Sequence, residues 1–128
     1  MIITGVRIDL DNTLCAVKLD NTSDSQRAAG IRDQVESAQP YALRFADGIE
    51  VWIDDEGPYR SERNHLLAAM VRKAYPEWSE PIHGRGLFLG VDPTDGTPTS
   101  LTTEQQIAVV TAWREASVEP TPVAVTAH

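Results

Sequence analysis

Ile3-Thr4-Gly5-Val6-Arg7-Ile8-Asp9-Leu10-Asp11-Asn12-Thr13-Leu14-Cys15-Ala16-Val17-Lys18-Leu19 opens with alternating apolar and polar side chains, interrupted at Asp11-Asn12-Thr13. Val6, Ile8 and Leu10 fall on one side of an extended chain and Arg7, Asp9 and Asp11 on the other, the period of a strand with one buried face. Asp, Asn and Thr are turn residues because their side chains hydrogen-bond the nearby backbone. Leu14 to Leu19 then continues as a second apolar run, ending at Asp20-Asn21. The stretch predicts a β-hairpin with one face on the core and the other in water, and therefore an antiparallel sheet.

The segment Ile8-Asp9-Leu10-Asp11-Asn12-Thr13-Leu14 has a second reading. Two aspartates one residue apart after an apolar run, followed by Thr13, resemble the first motif of the haloacid-dehalogenase-type phosphohydrolases. That resemblance implies Asp9 as nucleophile on phosphorus, Asp11 as general acid and base, and Mg²⁺ held between them. In that setting the first strand is central in a parallel sheet and reads as a continuous apolar run. Arg7 conflicts with this, since an unpaired guanidinium inside a sheet costs several kcal/mol. No Ser or Thr closes a second apolar strand, Lys18 is too close in sequence, and Lys73 lies inside an amphipathic pattern. The hairpin is the preferred reading; the Mg²⁺-dependent phosphohydrolase is kept as the alternative.

Outward from the hairpin, Thr22, Ser23 and Asp24 offer capping oxygens, and Ala28, Ile31, Val35 and Ala38 recur at helical spacing. These predict a helix over about 23–38, stopped by Pro40. Tyr41, Leu43 and Phe45, then Asp47-Gly48, then Ile49, Val51 and Ile53 form two alternating runs around a hairpin turn. Ser61 is the expected cap of a second helix carrying Leu67, Met70, Val71 and Ala74. Leu87-Phe88-Leu89, bounded by Gly86 and Gly90, predicts a short buried strand. Thr102 and Gln105 fit a capping box ahead of a third helix with Ile107, Val109, Val110 and Trp113. The expected fold is a single α+β domain over 1–116, with an antiparallel sheet of two hairpins plus a short strand and about three helices. Residues 117–128, with Glu119-Pro120-Thr121-Pro122, read as a mobile tail.

With 128 residues the chain is long enough for a core without disulfides or a structural metal. The balance of 11 basic and 19 acidic residues, a net of -8, argues against direct nucleic-acid binding. A decoy that occupies a nucleic-acid-binding partner would instead need a row of carboxylates on one face. Cys15 is the single cysteine, which excludes an intrachain disulfide and points to a reducing compartment. Met1-Ile2-Ile3-Thr4-Gly5 lacks the basic and apolar regions of a secretory signal, and no apolar run approaches the roughly 20 residues of a membrane helix. A cytoplasmic protein without membrane attachment is expected.

The segment from Asp47-Gly48 through Ile53-Asp54-Asp55-Glu56-Gly57, followed by Asn64 and Ala68-Ala69, has a further likeness. It continues with Ile82-His83-Gly84-Arg85-Gly86-Leu87-Phe88-Leu89-Gly90, Asp95-Gly96 and Ser100-Leu101-Thr102-Thr103-Glu104-Gln105-Gln106. Together these resemble the small phage- and mobile-element-associated proteins of the domain of unknown function 3846 family, over roughly 45–110. The resemblance implies a small α+β accessory protein, located in the host cytoplasm if phage-encoded, and carries over no biochemical activity. The stretch 74–81, with Trp78, is longer than the spacing typical of that family. Asp55, Glu56 and Asn64 are the binding candidates, polar residues flanking one loop; Asn64 has the competing role of tying that loop to the helix. No catalytic residue, metal site or cofactor is assigned, since His65 and His83 lack the i, i+4 spacing of zinc ligands. The expected function is non-enzymatic binding of a host protein or small molecule, in counter-defence or takeover.

Overall fold

The computed structural model describes residues 1–55 and 62–118. The elements run β1 (Ile2–Ile8), β2 (Leu14–Asp20), α1 (Asp24–Val35), β3 (Pro40–Ala46), β4 (Ile49–Asp54), α2 (His65–Ala74), β5 (Gly86–Val91), β6 (Pro98–Thr99) and α3 (Thr103–Val118). β1 and β2 pair antiparallel from Ile2↔Asp20 to Ile8↔Leu14. The connection is tied by its own backbone: the Asp9 amide donates to the Thr13 carbonyl and the Asn12 amide to the Asp9 carbonyl, both at 3.0 Å. Asn12 takes the left-handed conformation at φ 70°, which Asn tolerates better than most residues. The second hairpin turns at Asp47-Gly48, where Gly48 sits at φ 70° and a register shift between Arg44 and Ala46 marks a bulge.

β5 is the central strand. The order is β2-β1-β5-β4-β3, with β6 also on β5, and every pairing is antiparallel. Leu87, Phe88 and Leu89 are fully buried, because a strand covered on both faces needs apolar side chains at successive positions. β1 crosses β5 closely at Gly5, where a Cβ would lie 2.6 Å from the Phe88 carbonyl oxygen and 2.6 Å from Leu89 Cδ2. The fold is therefore the expected α+β arrangement, extended by β6 and joined into one open six-stranded sheet with three helices among the described residues.

The expectation of one wet face does not hold. α2 and α3 pack on Val6, Ile8, Val51, Ile53 and Phe88 through Leu67, Met70, Val71 and Val109. α1 packs on the opposite face, where Ile31 and Val35 meet Ile3, Val17, Leu19, Leu87 and Leu89. Two buried aliphatic side chains supply about 1.5–3 kcal/mol each, enough to seat a short helix whose other positions are mostly polar. Leu10, expected beside Val6 and Ile8, is 40% exposed because it falls past the strand in the turn.

Helix ends also differ from expectation. α1 is capped by the Ser23 side chain but stops at Val35, because Glu36 adopts the left-handed conformation and the Ser37 amide closes onto the Arg32 carbonyl. Pro40 instead begins β3. Asn64 caps α2; Ser61 lies outside the described residues. The capping box of α3 is present, with the Gln105 amide donating to Thr102 Oγ1 at 3.1 Å and the Thr102 amide to Gln105 Oε1 at 2.9 Å. Ile107 is 60% exposed, so Val109 carries the buried face there. α3 continues to Val118, into the segment expected to be tail, and residues 119–128 lie outside the described part.

Candidate functional site

The aspartate pair sits at the tip of the first hairpin. Arg7, on the α1 side of the sheet, binds Asp9 through both ends of its carboxylate: Nε to Oδ1 at 2.7 Å and Nη2 to Oδ2 at 3.2 Å. Its Nη1 donates to Gln34 Oε1 of α1 at 2.6 Å. Arg85 adds a second cation 3.3 Å from Asp9 Oδ1 and 3.3 Å from Glu36 Oε1. The Cys15 thiol lies 3.7 Å from Asp9 Oδ2. Bidentate pairing of this kind is strong and directional, and it resolves the conflict posed by Arg7: the half-buried guanidinium has its partner two residues along the same chain.

Asp11 is exposed, and the Thr13 hydroxyl and amide hold its carboxyl below the usual carboxylate range. Its Oδ1 accepts from the Thr13 amide at 3.0 Å. A carboxylate stabilised in its charged form is poorly suited to donate a proton. The antiparallel pairing of β1 with both β2 and β5 also removes the parallel-sheet setting that the phosphohydrolase motif requires.

Asp55 and Asn64 part company. Asn64 is 1% exposed; its Oδ1 accepts from the Leu67 amide at 3.0 Å and its Nδ2 donates to the Gly84 carbonyl at 3.0 Å. It fastens the start of α2 to the strand-like segment before β5. Asp55 is exposed at the end of β4 and lines a different cleft from the one Asn64 lines. Glu56 lies outside the described residues. Among the described residues no group of three or more His, Cys, Asp or Glu side chains is placed to hold a metal, and no helix is long and apolar enough to cross a membrane.

A cleft of about 670 Å³ opens between α1 and the β3–β4 end of the sheet. Its apolar surface comes from Ala28, Ile31, Ala38, Pro40, Trp52 and Pro98, and its charged groups are Asp24, Arg27, Arg32 and Asp55. Arg27 is held by Asp24 at 3.0 Å and by Asn21 Oδ1 at 2.8 Å. Tyr41 borders the cleft, but its ring packs on the α2–α3 face of the sheet; burial pushes its phenol up, and the carboxylates of Asp55 and Glu80 push it the same way. Ser37, just past the end of α1, donates to buried Asp54 Oδ1 at 2.5 Å. That bond anchors one end of the helix to β4. A volume of this size with an apolar body and a few polar groups is the ordinary make-up of a small-molecule site.

Trp52, Arg27 and Arg32 were not among the sequence candidates. One signal was available: Trp52 alternates with Val51 and Ile53 and so occupies the face assigned to water, where a large aromatic side chain calls for cover. Next to it, Glu50 is half-buried, and burial raises its carboxyl above the usual range against the opposing pull of Arg44 and the Trp52 indole. A raised carboxyl destabilises the fold at pH above the folded value and not below the unfolded value. Glu50→Gln is therefore expected to be slightly more stable than the parent near about pH 7, by less than about 1 kcal/mol for a partly solvated group. The difference should shrink near about pH 4; urea unfolding at the two pH values measures it.

Comparison with protein families, curated proteins and solved structures returns no match for this chain.

Proposed function

We propose that the protein is a small non-enzymatic binding domain of the phage- and mobile-element type, acting in the host cytoplasm, and that the cleft between α1 and β3–β4 holds a small molecule. The observation that carries this reading is the cleft itself, about 670 Å³ with Trp52 beside Arg27, Arg32 and Asp55. Its mixed charges suit a ligand with a flat apolar body and polar ends of both signs. The commitment of Asp9 to Arg7 and Arg85 supports a non-enzymatic role, because a nucleophilic carboxylate must keep an oxygen free for phosphorus. The net charge of -8 supports a partner other than nucleic acid. Exposed carboxylates occur at hairpin tips, on α1, on α3 and before β5 rather than in one row, which disfavours an acidic decoy. The family resemblance suggests counter-defence or takeover as the setting in which a host protein or small molecule would be bound.

Ala28→Trp tests the proposal by filling the α1 wall of the cleft. A thermal-shift screen of small metabolites is expected to find a ligand that stabilises the parent by about 2–3 kcal/mol at a hundredfold excess over its dissociation constant, an increment the variant lacks. If nothing in the screen shifts the parent and host lysate yields the same proteins for parent and variant, the reading fails. Hydrolysis of an aryl phosphate with Mg²⁺ that disappears in Asp9→Asn would install the phosphohydrolase in its place.

A further inference from the structure

A second cleft, separate from the first, lies beside the N-terminal end of α2. It has a volume of about 340 Å³, and its polar lining is Arg63, Asn64, His65, Arg72 and Ser79, with Ala68, Pro81 and Ile82 completing it. Two guanidinium groups, an imidazole, an amide and a hydroxyl face the space, and among the described residues no carboxylate does. In a chain of net -8 that composition stands out. By contrast, Arg7 and Arg85 share Asp9, and Arg27 holds Asp24. Glu62, Glu77 and Glu80 are close in sequence to this second cleft, but none lines it.

The residue spacing explains the juxtaposition. Arg63 precedes the cap Asn64, and its backbone bridges antiparallel to His83, which fixes it beside the segment leading to β5. Arg72 lies in the last turn of α2. His65 and Ala68 are two and five residues past Arg63 on the same helix entry, while Ser79 and Pro81 arrive from the loop after α2. The Asn64 amide is already committed to Leu67 and Gly84, so the groups left to meet a ligand are the two arginines, His65 and the Ser79 hydroxyl. Fork-shaped guanidinium groups recognise tetrahedral oxyanions through paired N–H bonds. The volume is at the lower end of the range for small-ligand sites, room for a phosphate group with a small organic substituent.

We infer that this cleft is an anion site for a phosphomonoester, with Arg63 and Arg72 as its principal ligands. Calorimetric titration of the full chain with phenyl phosphate is expected to show saturable binding, weakened about tenfold or more by each of Arg63→Gln and Arg72→Gln, as loss of a charge-assisted hydrogen bond implies. Both side chains are exposed, so the variants should melt with the parent, and Ala28→Trp should bind phenyl phosphate unchanged because it alters the other cleft. Absence of saturable binding by the parent, or equal binding by the Arg63→Gln/Arg72→Gln double variant, would overturn the inference. So would sedimentation with vesicles containing anionic phospholipid in the absence of phenyl phosphate binding, since that assigns the cations to a membrane surface.

Discussion

Phe88→Ala is expected to cost about 3–5 kcal/mol, the usual loss for truncating a buried aromatic side chain. Phe88 is fully buried on β5, with Val6 of β1 and Val51 of β4 as its neighbours across the sheet. Its ring packs edge-on against Phe45 at a centroid distance of 4.9 Å and an interplanar angle of 78°. The cavity would open where β1, β4 and the two helices α2 and α3 all meet, so no single element can move in to fill it. A domain of this size has about 5–15 kcal/mol in total, and the melting temperature should fall by about 10–20 °C. Phe88→Leu keeps most of the volume and should lose less than about 2 kcal/mol. Urea unfolding of both variants measures the pair. A loss under about 1 kcal/mol for Phe88→Ala would mean that β5 is not the centre of the sheet.

Asn64→Ala is expected to cost about 2–4 kcal/mol by the sum of two effects. The α2 cap is worth about 1 kcal/mol, and leaving the buried Gly84 carbonyl without its donor adds about 1–3 kcal/mol. Asn64→Asp separates them. Aspartate keeps an acceptor for the Leu67 amide but turns a carboxylate toward the carbonyl of Gly84, and toward that of Asp9 at 3.5 Å. It should therefore be at least as damaging as alanine near neutral pH. Its stability relative to the parent should recover as acid protonates the side chain, because the neutral carboxyl regains a donor. Equilibrium unfolding across pH checks this. A pH-independent difference between Asn64→Asp and the parent would show that the cap alone matters and that the bond to Gly84 contributes little.

Asn64 also marks where reading the sequence reached its limit. Its polarity at the entrance of an apolar helix was visible, and so were its two roles, a loop tie or part of a site. The tie is the role its amide performs: two bonds and 1% exposure leave it facing backbone groups. Asp55 was grouped with it because the two flank one loop in sequence. They line different clefts because β4 ends toward α1, whereas α2 begins on the opposite side of the sheet. Arg7 shows the reverse case. Its presence in an apolar run argued against a strand buried on both faces, yet α1 covers that face and Asp9 with Gln34 satisfies the guanidinium. The antiparallel hairpin that Arg7 argued for is present. The helix over Ile31 and Val35 was legible too, but its buried side is too narrow to announce which surface it covers.

Local order needed only the sequence. Period-two alternation, the Asp-Gly turn, the Asp11-Asn12-Thr13 tip and the Thr102–Gln105 box all act between residues a few positions apart, where backbone geometry and side-chain chemistry leave few choices. The tertiary structure alone decided that Gly86–Val91 sits at the centre of the sheet and that Asp9 is held between Arg7 and Arg85. It alone opened a cleft between Ala28 and Trp52. Each of these joins segments far apart in the chain, and the free energy that selects them comes from burying two faces of one sheet at once, a quantity no local window contains.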